Sequence, residues 1–509
     1  MKELSITPRE YQLTILKTCI EKDCLVILPT GTGKTLIAIM LAVEQFEKFP
    51  LEKILILAPT RPLVEQHFNS FKKNLPWDCN MQIFTGKIQA EKRKKIWQEA
   101  EFIFSTPQCI SNDLKKNLYS LDDVSLLVFD ECHRCLKNYA YNFISQKYKS
   151  QALHKKILGL TASPGANREK IKKVCENLGV QEVEARTRDS PDVRPYLQEL
   201  EFEKIEVNFP AEFEEIRCLL REIYDKKIQE LKNRKILFIN PTKTILLEIQ
   251  KKLFKAINLN KEPNLMRAVS ICAQAIKIQH ALELLETQTL ESFILYIRAL
   301  FEQAGQKKSK AVLQIVQDAR FLKAYTLAST INFEHPKLIR LEEIIKEQFL
   351  KNPESKILVF SQFRDTVKKI TDTLNKIPGI KSRIFVGQAK KISQGNETGL
   401  NQAEQKEIIQ DFSSGKINIL VATSIAEEGL DIPEVSEVIF YEPVPSAIRS
   451  IQRRGRTARM SPGSLKILIT KNTRDESYHY ASRAREKQIN KAIDEIKEGF
   501  KNKNQEKLF

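Results

Sequence analysis

The first 200 residues alternate short apolar runs with longer segments in which apolar positions recur at helical spacing. The short runs are rich in β-branched and aromatic residues; they are Cys24–Leu28, Lys53–Ala58, Phe102–Ser105, Leu126–Phe129 and Ile157–Leu160. Runs of this length, separated by amphipathic helices, are typical of the buried strands of a parallel sheet. The pattern therefore predicts an α/β domain with helices on both faces of the sheet.

The same alternation returns after residue 336. Its apolar runs are Lys356–Ser361, Arg383–Val386, Ile417–Val421, Val438–Tyr441 and Lys466–Thr470. This second series predicts another parallel sheet of similar size.

The segment between the two series, Ala211–His335, has a different pattern. It holds one glycine and two prolines among 125 residues, and apolar residues such as Ile271, Ala275, Ile278 and Leu282 follow helical spacing. Few helix breakers combined with this spacing indicate a helical domain inserted between the sheets. The alternative is a helical segment that only separates them.

These patterns divide the chain into four parts. We predict an α/β domain over 1–205, an all-helical domain over 206–335, a second α/β domain over 336–480 and a basic helical tail over 481–509. The tail is rich in Lys and Glu, which is typical of a helix surrounded by solvent.

Composition indicates the charge of a binding partner. The 509 residues include 82 Lys and Arg against 64 Asp and Glu, a net charge of +18, which favours a polyanionic partner. No apolar run approaches the ~18 residues of a membrane span, and the N-terminus has no apolar core of a secretory signal. Nine cysteines are few and odd in number, which predicts reduced thiols and a cytoplasmic compartment.

A phosphate-binding loop follows the first apolar run. Pro29–Thr35 reads Pro-Thr-Gly-Thr-Gly-Lys-Thr, between a strand and an apolar helix that starts near Leu36. Glycines let backbone N–H groups converge on phosphate oxygens, and Lys34 supplies a positive charge for the β- and γ-phosphates. We therefore predict that ATP is held by Thr30, Gly31, Thr32, Gly33, Lys34 and Thr35.

Two adjacent carboxylates follow the run that ends at Phe129. Asp130 at the carboxyl edge of the sheet is placed to hold Mg²⁺ together with the Thr35 hydroxyl. Glu131 is placed to orient and deprotonate the attacking water. His133, directly after this pair, is predicted to couple the ATP site to the rest of the molecule, the alternative being a histidine that is only packed.

Together these two motifs resemble the Walker motifs of the superfamily 2 DExD/H-box helicases. Segments resembling the remaining motifs follow in the order of that family: Pro8–Gln12, Ala58–Val64, Thr85–Gly86, Ser105–Gln108, Thr161–Ser163, Val359–Phe363, Val421–Asp431 and Gln452–Arg459. In the last of these, Ala458 replaces the glycine of the family, while the arginine that follows it is present.

Longer segments are similar to the archaeal Hef helicases, relatives of the FANCM/Mph1 fork-remodelling enzymes. They are Asn138–Tyr141, Ser190–Tyr196, His280–Gln288, Phe385–Ala389 and Glu442–Ser450, and the resemblance spans Thr7 to Lys487. It implies two RecA-like parallel-sheet domains with a thumb-like helical domain between them. Many Hef proteins continue into an XPF-type nuclease, whose signature is absent here, so we expect no nuclease activity in this chain and a separate nuclease as a possible partner.

The resemblance also assigns roles to individual residues. Around ATP it implies adenine contacts by Arg9 and Gln12, ribose contacts by Gly429 and Asp431, a γ-phosphate sensor at Gln452 and arginine fingers at Arg456 and Arg459. It implies coupling by His133, Thr161 and Ser163. For the nucleic-acid backbone it implies contacts by Thr60, Arg61, Gly86, Thr106, Gln362, Gly387 and Thr423.

The function implied is that of an ATP- and Mg²⁺-dependent DNA helicase in DNA repair. The family resemblance implies 3′→5′ translocation and a preference for replication forks and four-way junctions. The terminal Gln505–Phe509 also resembles sliding-clamp-binding tails, against the alternative of a frayed terminus.

Two other functions remain open from the residues alone. A similar acid box and helical insert occur in viral-RNA sensor helicases and Dicer-like proteins, which predicts an RNA-duplex-dependent ATPase instead. A helicase fold without catalysis, acting as a nucleic-acid scaffold, is the second alternative. Five intact catalytic residues argue against it: Lys34, Asp130, Glu131, Arg456 and Arg459.

Overall fold

The computed structural model describes most of the chain. The described residues are 6–165, 168–259, 262–306, 309–387, 392–393, 396–397, 399–426, 432–446, 449, 453, 457 and 463–505. Among these residues, no helix is long and apolar enough to cross a bilayer.

The first sheet has seven described strands, all parallel. In chain order they are β1 Cys24–Ile27, β2 Lys53–Leu57, β3 Met81–Phe84, β4 Phe102–Ser105, β5 Val124–Phe129, β6 Ile157–Thr161 and β7 Glu182–Ala185. Across the sheet the order is β3-β4-β2-β5-β6-β1-β7. All five strands predicted for this domain are present, since each forms a continuous apolar run buried on both faces.

Helices cover both faces of this sheet. They are α1 Glu10–Glu21, α2 Lys34–Lys48, α3 Arg61–Asn74, α4 Ala90–Glu99, α5 Pro107–Lys115, α6 Ala140–Gln151 and α7 Arg168–Leu178. Alternate residues of each strand enter one of two separate apolar clusters; in β1, for instance, Leu25 joins one and Val26 the other. The domain is thus three layers deep, with a core on each side of the sheet.

The second sheet has six described strands, again all parallel. They are β8 Leu200–Val207, β9 Ile357–Phe360, β10 Ser382–Phe385, β13 Ile419–Ala422, β14 Glu437–Phe440 and β15 Gly463–Thr470; a two-stranded ribbon of β11 Ile392–Ser393 and β12 Asn396–Glu397 lies apart. The order is β10-β13-β9-β14-β15-β8. The helices of this domain are α14 Pro336–Lys351, α15 Arg364–Leu374, α16 Gln402–Ser413 and the C-terminal α17 Arg474–Gln505.

Three strands, β3, β7 and β8, do not appear among the predicted runs. Each is an edge strand, and each carries partly exposed or polar positions instead of a continuous apolar run. The pairing of β8 also corrects a boundary: all eight of its residues pair with β15 of the second sheet. A first domain that ends at residue 205 would cut this strand, because the chain enters the second sheet before the helical domain begins.

The helical domain between the sheets is present as predicted. Its helices are α8 Ala211–Asn233, α9 Lys243–Leu259, α10 Pro263–Thr287, α11 Leu290–Gly305, α12 Lys310–Val316 and α13 Ala319–Thr330. The long α10 lies at its centre, since its apolar residues contribute to both apolar clusters of the domain. The protein therefore has two parallel-sheet domains with an all-helical domain between them, as the sequence predicts.

Buried polar contacts join the helical domain to the second sheet domain. The Ser292 hydroxyl lies 3.0 Å from that of Thr366, and the Ser361 hydroxyl oxygen lies 3.3 Å from Gln288 Oε1. The Arg474 side chain lies 3.4 Å from the buried carboxylate of Glu286. Since such groups are costly to separate from their partners, these two domains are firmly attached.

The prediction of a solvated tail is wrong. Helix α17 runs from Arg474 to Gln505 and buries one of its faces against the first sheet domain. That face is formed by Ile489, Ala492, Ile493 and Ile496, which are all less than 10 % exposed. Their spacing of three and four residues is that of an amphipathic helix, a signal present in the sequence but masked by the surrounding charges.

Candidate ATP and nucleic-acid site

The phosphate-binding loop lies between β1 and α2, and α2 begins at Lys34. Gly31 and Gly33 have φ values of +82° and +78°, in the left-handed region. The Lys34 ammonium donates to the carbonyl oxygens of Leu28 and Pro29, at 3.0 and 3.2 Å. A positive charge and the amino end of a helix thus meet at the edge of the sheet, as phosphate binding requires.

Gln12 contacts this loop directly. Its Nε2 donates to the Thr32 carbonyl at 3.0 Å, and its Oε1 accepts from the Arg9 N–H at 2.8 Å. A Cβ built on Gly33 would lie 2.4 Å from Gln12 Nε2 and displace this amide from the loop, and the positive φ of Gly33 favours glycine. A cavity of about 280 Å³ lies beside the loop and is lined by Arg9, Gln12, Gly31, Gly33 and Thr35 among others.

Two tyrosines for which the sequence predicts no role support the phosphate-binding loop and Arg9. The Tyr11 hydroxyl donates to the Thr32 carbonyl at 2.6 Å, and the Tyr196 ring packs edge-on against Tyr11. The Arg9 guanidinium lies over the Tyr196 ring, 5.2 Å from its centroid. Tyr196 ends the Hef-like segment Ser190–Tyr196, and its contacts with Tyr11 and Arg9 depend on the tertiary fold.

Asp130 follows β5 and is almost fully buried. Its Oδ1 accepts from the Glu131 N–H at 2.9 Å, and its Oδ2 lies 2.8 Å from His67 Nε2. Burial alone would raise the pKa of Asp130, but His67 and Lys34 outweigh burial and keep this pKa below its usual value. The carboxylate is therefore ionised at neutral pH.

An ionised carboxylate at the same sheet edge as the Thr35 hydroxyl suits magnesium. Mg²⁺ prefers oxygen ligands and is usually bound through one or two carboxylates together with substrate phosphates. Asp130 and Thr35 provide such oxygens at the same edge as the phosphate-binding loop, so the residues present fit the predicted cofactor.

Glu131 has a left-handed backbone, with φ +46° and ψ 47°. Its Oε2 lies 3.2 Å from His133 Nδ1, and the same ring nitrogen lies 3.2 Å from Thr161 Oγ1. Thr161 in turn donates to the Ser163 carbonyl at 3.0 Å and accepts from the Ser163 N–H. The structure thus brings the predicted base together with the three residues predicted to couple it.

The topology explains why these residues meet. The phosphate-binding loop follows β1, Asp130 follows β5, and Thr161 ends β6. These three strands are neighbours in the order β5-β6-β1, and their carboxyl ends share one edge of the sheet.

The residues predicted to contact nucleic acid occupy the remaining part of that edge. Thr60 and Arg61 follow β2, Gly86 follows β3 and Thr106 follows β4, and these strands are neighbours in the order β3-β4-β2. Gly86 is exposed, and Thr60 and Thr106 each precede the first residue of a helix. The Arg61 side chain is held by Glu65 at 2.8 Å, and Glu65 also binds Lys406 of the second sheet domain at 2.6 Å.

The second sheet repeats this arrangement. Gln362 follows β9, Gly387 follows β10 and Thr423 follows β13, which are neighbours in the order β10-β13-β9. Each sheet thus presents three adjacent loops with the residues predicted to contact nucleic acid.

Glu442, missed by the sequence reading, holds one of these loops. It is almost fully buried; its Oε1 accepts from the Gln362 N–H at 2.5 Å and its Oε2 accepts from the Ser361 hydroxyl at 3.1 Å. Burial raises the pKa of Glu442 to about 7, although Arg453 and Lys337 oppose this and Asp475 adds to it.

This pKa predicts a pH-dependent stability. A carboxyl whose folded pKa of about 7 exceeds its ordinary 4.5 stabilises the fold below pH 4.5 and loses that contribution as the pH rises to 7. Glu442→Gln is neutral at every pH, so its free energy of unfolding relative to the unchanged protein should rise between pH 4.5 and pH 8 by up to ~3 kcal/mol.

Urea unfolding at several pH values measures this difference. Glu203→Gln, at an exposed position of β8, serves as the control and should show no such trend. A Glu442→Gln effect that is the same at every pH would contradict the assignment.

Five residues predicted to act on ATP lie outside the described residues: Gly429, Asp431, Gln452, Arg456 and Arg459. The same holds for residues 506–509 of the clamp-like terminus. Their roles remain predictions from the family resemblance.

Three family models match the chain. They are "DEAD/DEAH box helicase" over 9–171, "Putative ATP-dependent RNA helicase, helical bundle" over 212–335 and "Helicase conserved C-terminal domain" over 336–461. The matches fall within the first sheet domain, the helical domain with the connection that follows it, and the second sheet domain, in that order.

Curated relatives extend beyond the length of this chain. The "Putative ATP-dependent RNA helicase" of Methanocaldococcus jannaschii is 38 % identical over 97 % of this chain and 61 % of its own length. The Fanconi anemia group M protein homolog of Mus musculus is 32 % identical over 95 % of this chain, and the ATP-dependent DNA helicase mph1 of Neurospora crassa is 32 % identical over 93 %. The chain spans only 26 % and 42 % of the latter two.

One solved structure matches nearly end to end. The crystal structure of the Pyrococcus furiosus Hef helicase domain superposes with a TM-score of 0.71 and 45 % sequence identity. The match covers 94 % of this chain and 98 % of that domain.

Proposed function

Since the chain belongs to the Hef family of DEAD/DEAH box helicases, we propose that it is an ATP-dependent DNA helicase that moves 3′→5′ and acts on replication forks and four-way junctions in DNA repair. The observation that carries this proposal is the division of the first sheet edge between two kinds of loop. The ATP-site residues follow β5, β6 and β1, and the loops for a nucleic-acid backbone follow β3, β4 and β2.

The proposed chemistry uses residues of the first sheet domain. The N–H groups of Gly31 and Gly33 and the Lys34 ammonium bind phosphate oxygens, and Asp130 with Thr35 holds Mg²⁺. Magnesium supplies charge neutralisation on the phosphates when bound. Glu131 orients the attacking water and accepts its proton.

Movement requires a second body whose position depends on the nucleotide. We propose that Gln452, Arg456 and Arg459 of the second sheet domain contact the γ-phosphate, as the family resemblance implies. The contacts of His133 with Glu131 and Thr161 provide a path by which a change at the carboxylate reaches the end of β6. Closure on ATP and relaxation after hydrolysis then shift one set of backbone-binding loops against the other.

The proposed grip on the strand is independent of sequence. Hydroxyl, amide and guanidinium groups at Thr60, Arg61, Thr106, Gln362 and Thr423 can donate to sugar-phosphate oxygens, and such contacts position a strand without reading its sequence. The net charge of +18 supports such binding.

Duplex RNA is the second candidate substrate. It is favoured by the names of the helical-bundle family and of the Methanocaldococcus relative, which both refer to RNA helicases. The ATP-dependent DNA helicase mph1 of Neurospora crassa, named for DNA, favours DNA.

ATP turnover and strand separation on four substrates at one salt concentration test the proposal. We expect a DNA fork and a four-way junction to stimulate turnover more than linear duplex DNA does, and about tenfold more than duplex RNA, a difference of ~1.4 kcal/mol. Unwinding should need a 3′ tail and fail with a 5′ tail. Stronger stimulation by duplex RNA would favour the second candidate.

A further inference from the structure

His67 is a buried histidine that the catalytic motifs do not include. It lies in the middle of α3, is 4 % exposed, and follows the end of the motif-like segment Ala58–Val64 by three residues. Among the described residues its polar contact is with Asp130, at 2.8 Å between Nε2 and Oδ2, while Nδ1 has no hydrogen-bond partner. Burial of an imidazole with one nitrogen unpaired is costly, so an apolar residue would pack here at lower cost.

The contact determines the orientation of a carboxylate. The Glu131 N–H holds Oδ1 of Asp130 at 2.9 Å, and His67 holds Oδ2. With one donor on each oxygen, the Asp130 carboxylate cannot rotate about its terminal bond without breaking a hydrogen bond. The lone pairs that remain on both oxygens therefore have fixed directions.

The position of His67 along α3 adds a second link. The helix begins at Arg61, whose loop is proposed to bind the nucleic-acid backbone, and His67 follows six residues later, on the order of 9 Å along the axis. One rigid helix thus contacts the strand-binding loop at its first turn and the metal-binding carboxylate near its middle.

We propose that His67 is a positioning residue for magnesium–nucleotide binding, and that it acts by holding the Asp130 carboxylate in the orientation that Mg²⁺ requires. The inference rests on the proposed function, because it assumes that Asp130 binds Mg²⁺. Residues that orient metal ligands in this manner typically contribute 10- to 100-fold to metal affinity.

Two substitutions of equal length separate hydrogen bonding from packing. His67→Gln keeps a donor that reaches Asp130, whereas His67→Met fills similar space without a donor. We expect His67→Met to raise the Mg²⁺ concentration for half-maximal binding of a fluorescent non-hydrolysable ATP analogue by about tenfold or more. His67→Gln should stay within about threefold of the unchanged protein, and all three should bind the analogue equally in EDTA.

The equilibrium titration needs no turnover and is interpretable for each outcome. Equal Mg²⁺ dependence of analogue binding in the Met variant and the unchanged protein would overturn the proposal. An equal loss of analogue affinity in the Met and Gln variants, the same with Mg²⁺ as in EDTA, would also overturn it. If the Met variant does not fold, His67→Asn replaces it, because its amide is too short to reach Oδ2 and the same loss is expected. Absence of analogue binding by the unchanged protein would instead overturn the proposed function.

Discussion

Replacing Glu131 with glutamine is expected to lower fork-stimulated ATP turnover by about 10²- to 10⁴-fold, the range that a positioned general base contributes. The amide has the shape of the carboxylate but cannot accept the proton of the attacking water. The Glu131 backbone has a φ of +46°, a strained conformation for a residue other than glycine, which the surrounding structure must hold in place. Phosphate release at saturating fork DNA measures the effect.

The control lies in the same domain. Glu99→Gln makes the same chemical change at an exposed position at the end of α4 and should leave turnover unchanged. Fork binding, followed by fluorescence anisotropy, should be similar for both variants, because neither side chain lies on a strand-binding loop. Full turnover by Glu131→Gln would remove this residue from the role of base.

Replacing Lys337 with methionine is expected to destabilise the protein by ~3–5 kcal/mol, the usual cost of removing one partner of a buried ion pair. Lys337 and Asp475 are both fully buried, with 2.7 Å between Nζ and Oδ2. Lys337 also donates to the Thr287 carbonyl at the end of α10 at 2.6 Å. Burial raises the pKa of Asp475, and removal of the Lys337 ammonium would leave this buried carboxylate without a cationic partner, at a higher free-energy cost. The thermal midpoint should fall on the order of 10 °C.

Two further variants define the origin of this loss. Lys471→Met removes a lysine whose pair with Glu206 is partly exposed, and its effect should stay below about 1 kcal/mol. Lys337→Met combined with Asp475→Leu removes both charges and should recover part of the stability lost by the single variant. A single Lys337→Met protein as stable as the unchanged one would contradict this account of the domain junction.

Most strands that the sequence predicted are buried on both faces, the edge strand β10 with its exposed Arg383 being an exception. In β2 and β9 every position is apolar or covered, so a continuous run marks the strand. The edge strands β3, β7 and β8 have one side open to solvent and lack such a run. The assignment of β8 to the second sheet depends on pairing across more than 250 residues, which no local pattern reports.

The candidate site likewise contains residues with a local sequence signal and residues without one. Lys34, Asp130 and Glu131 were predicted because their chemistry requires those residue types directly after buried strands. His67 carries no local signal, and Glu442 has no predicted role beyond its place in the Hef-like segment Glu442–Ser450, since a histidine inside a helix and a glutamate after a strand are ordinary in sequence. Their meaning comes from Asp130 and from the Gln362 N–H, which lie 63 and 80 residues away along the chain.

The sequence by itself determined the parts of this protein: two parallel sheets, a helical insertion, the phosphate-binding loop and the carboxylates. Periodicity and motif chemistry depend on residues that are close in sequence, so they can be recognised without knowledge of the fold. Only the tertiary structure decided which strand ends share an edge, which sheet receives β8, and that α17 returns to bury its apolar face on the first domain. Those outcomes depend on burial and hydrogen bonding between distant segments, whose free energy exists only once the chain has brought them together.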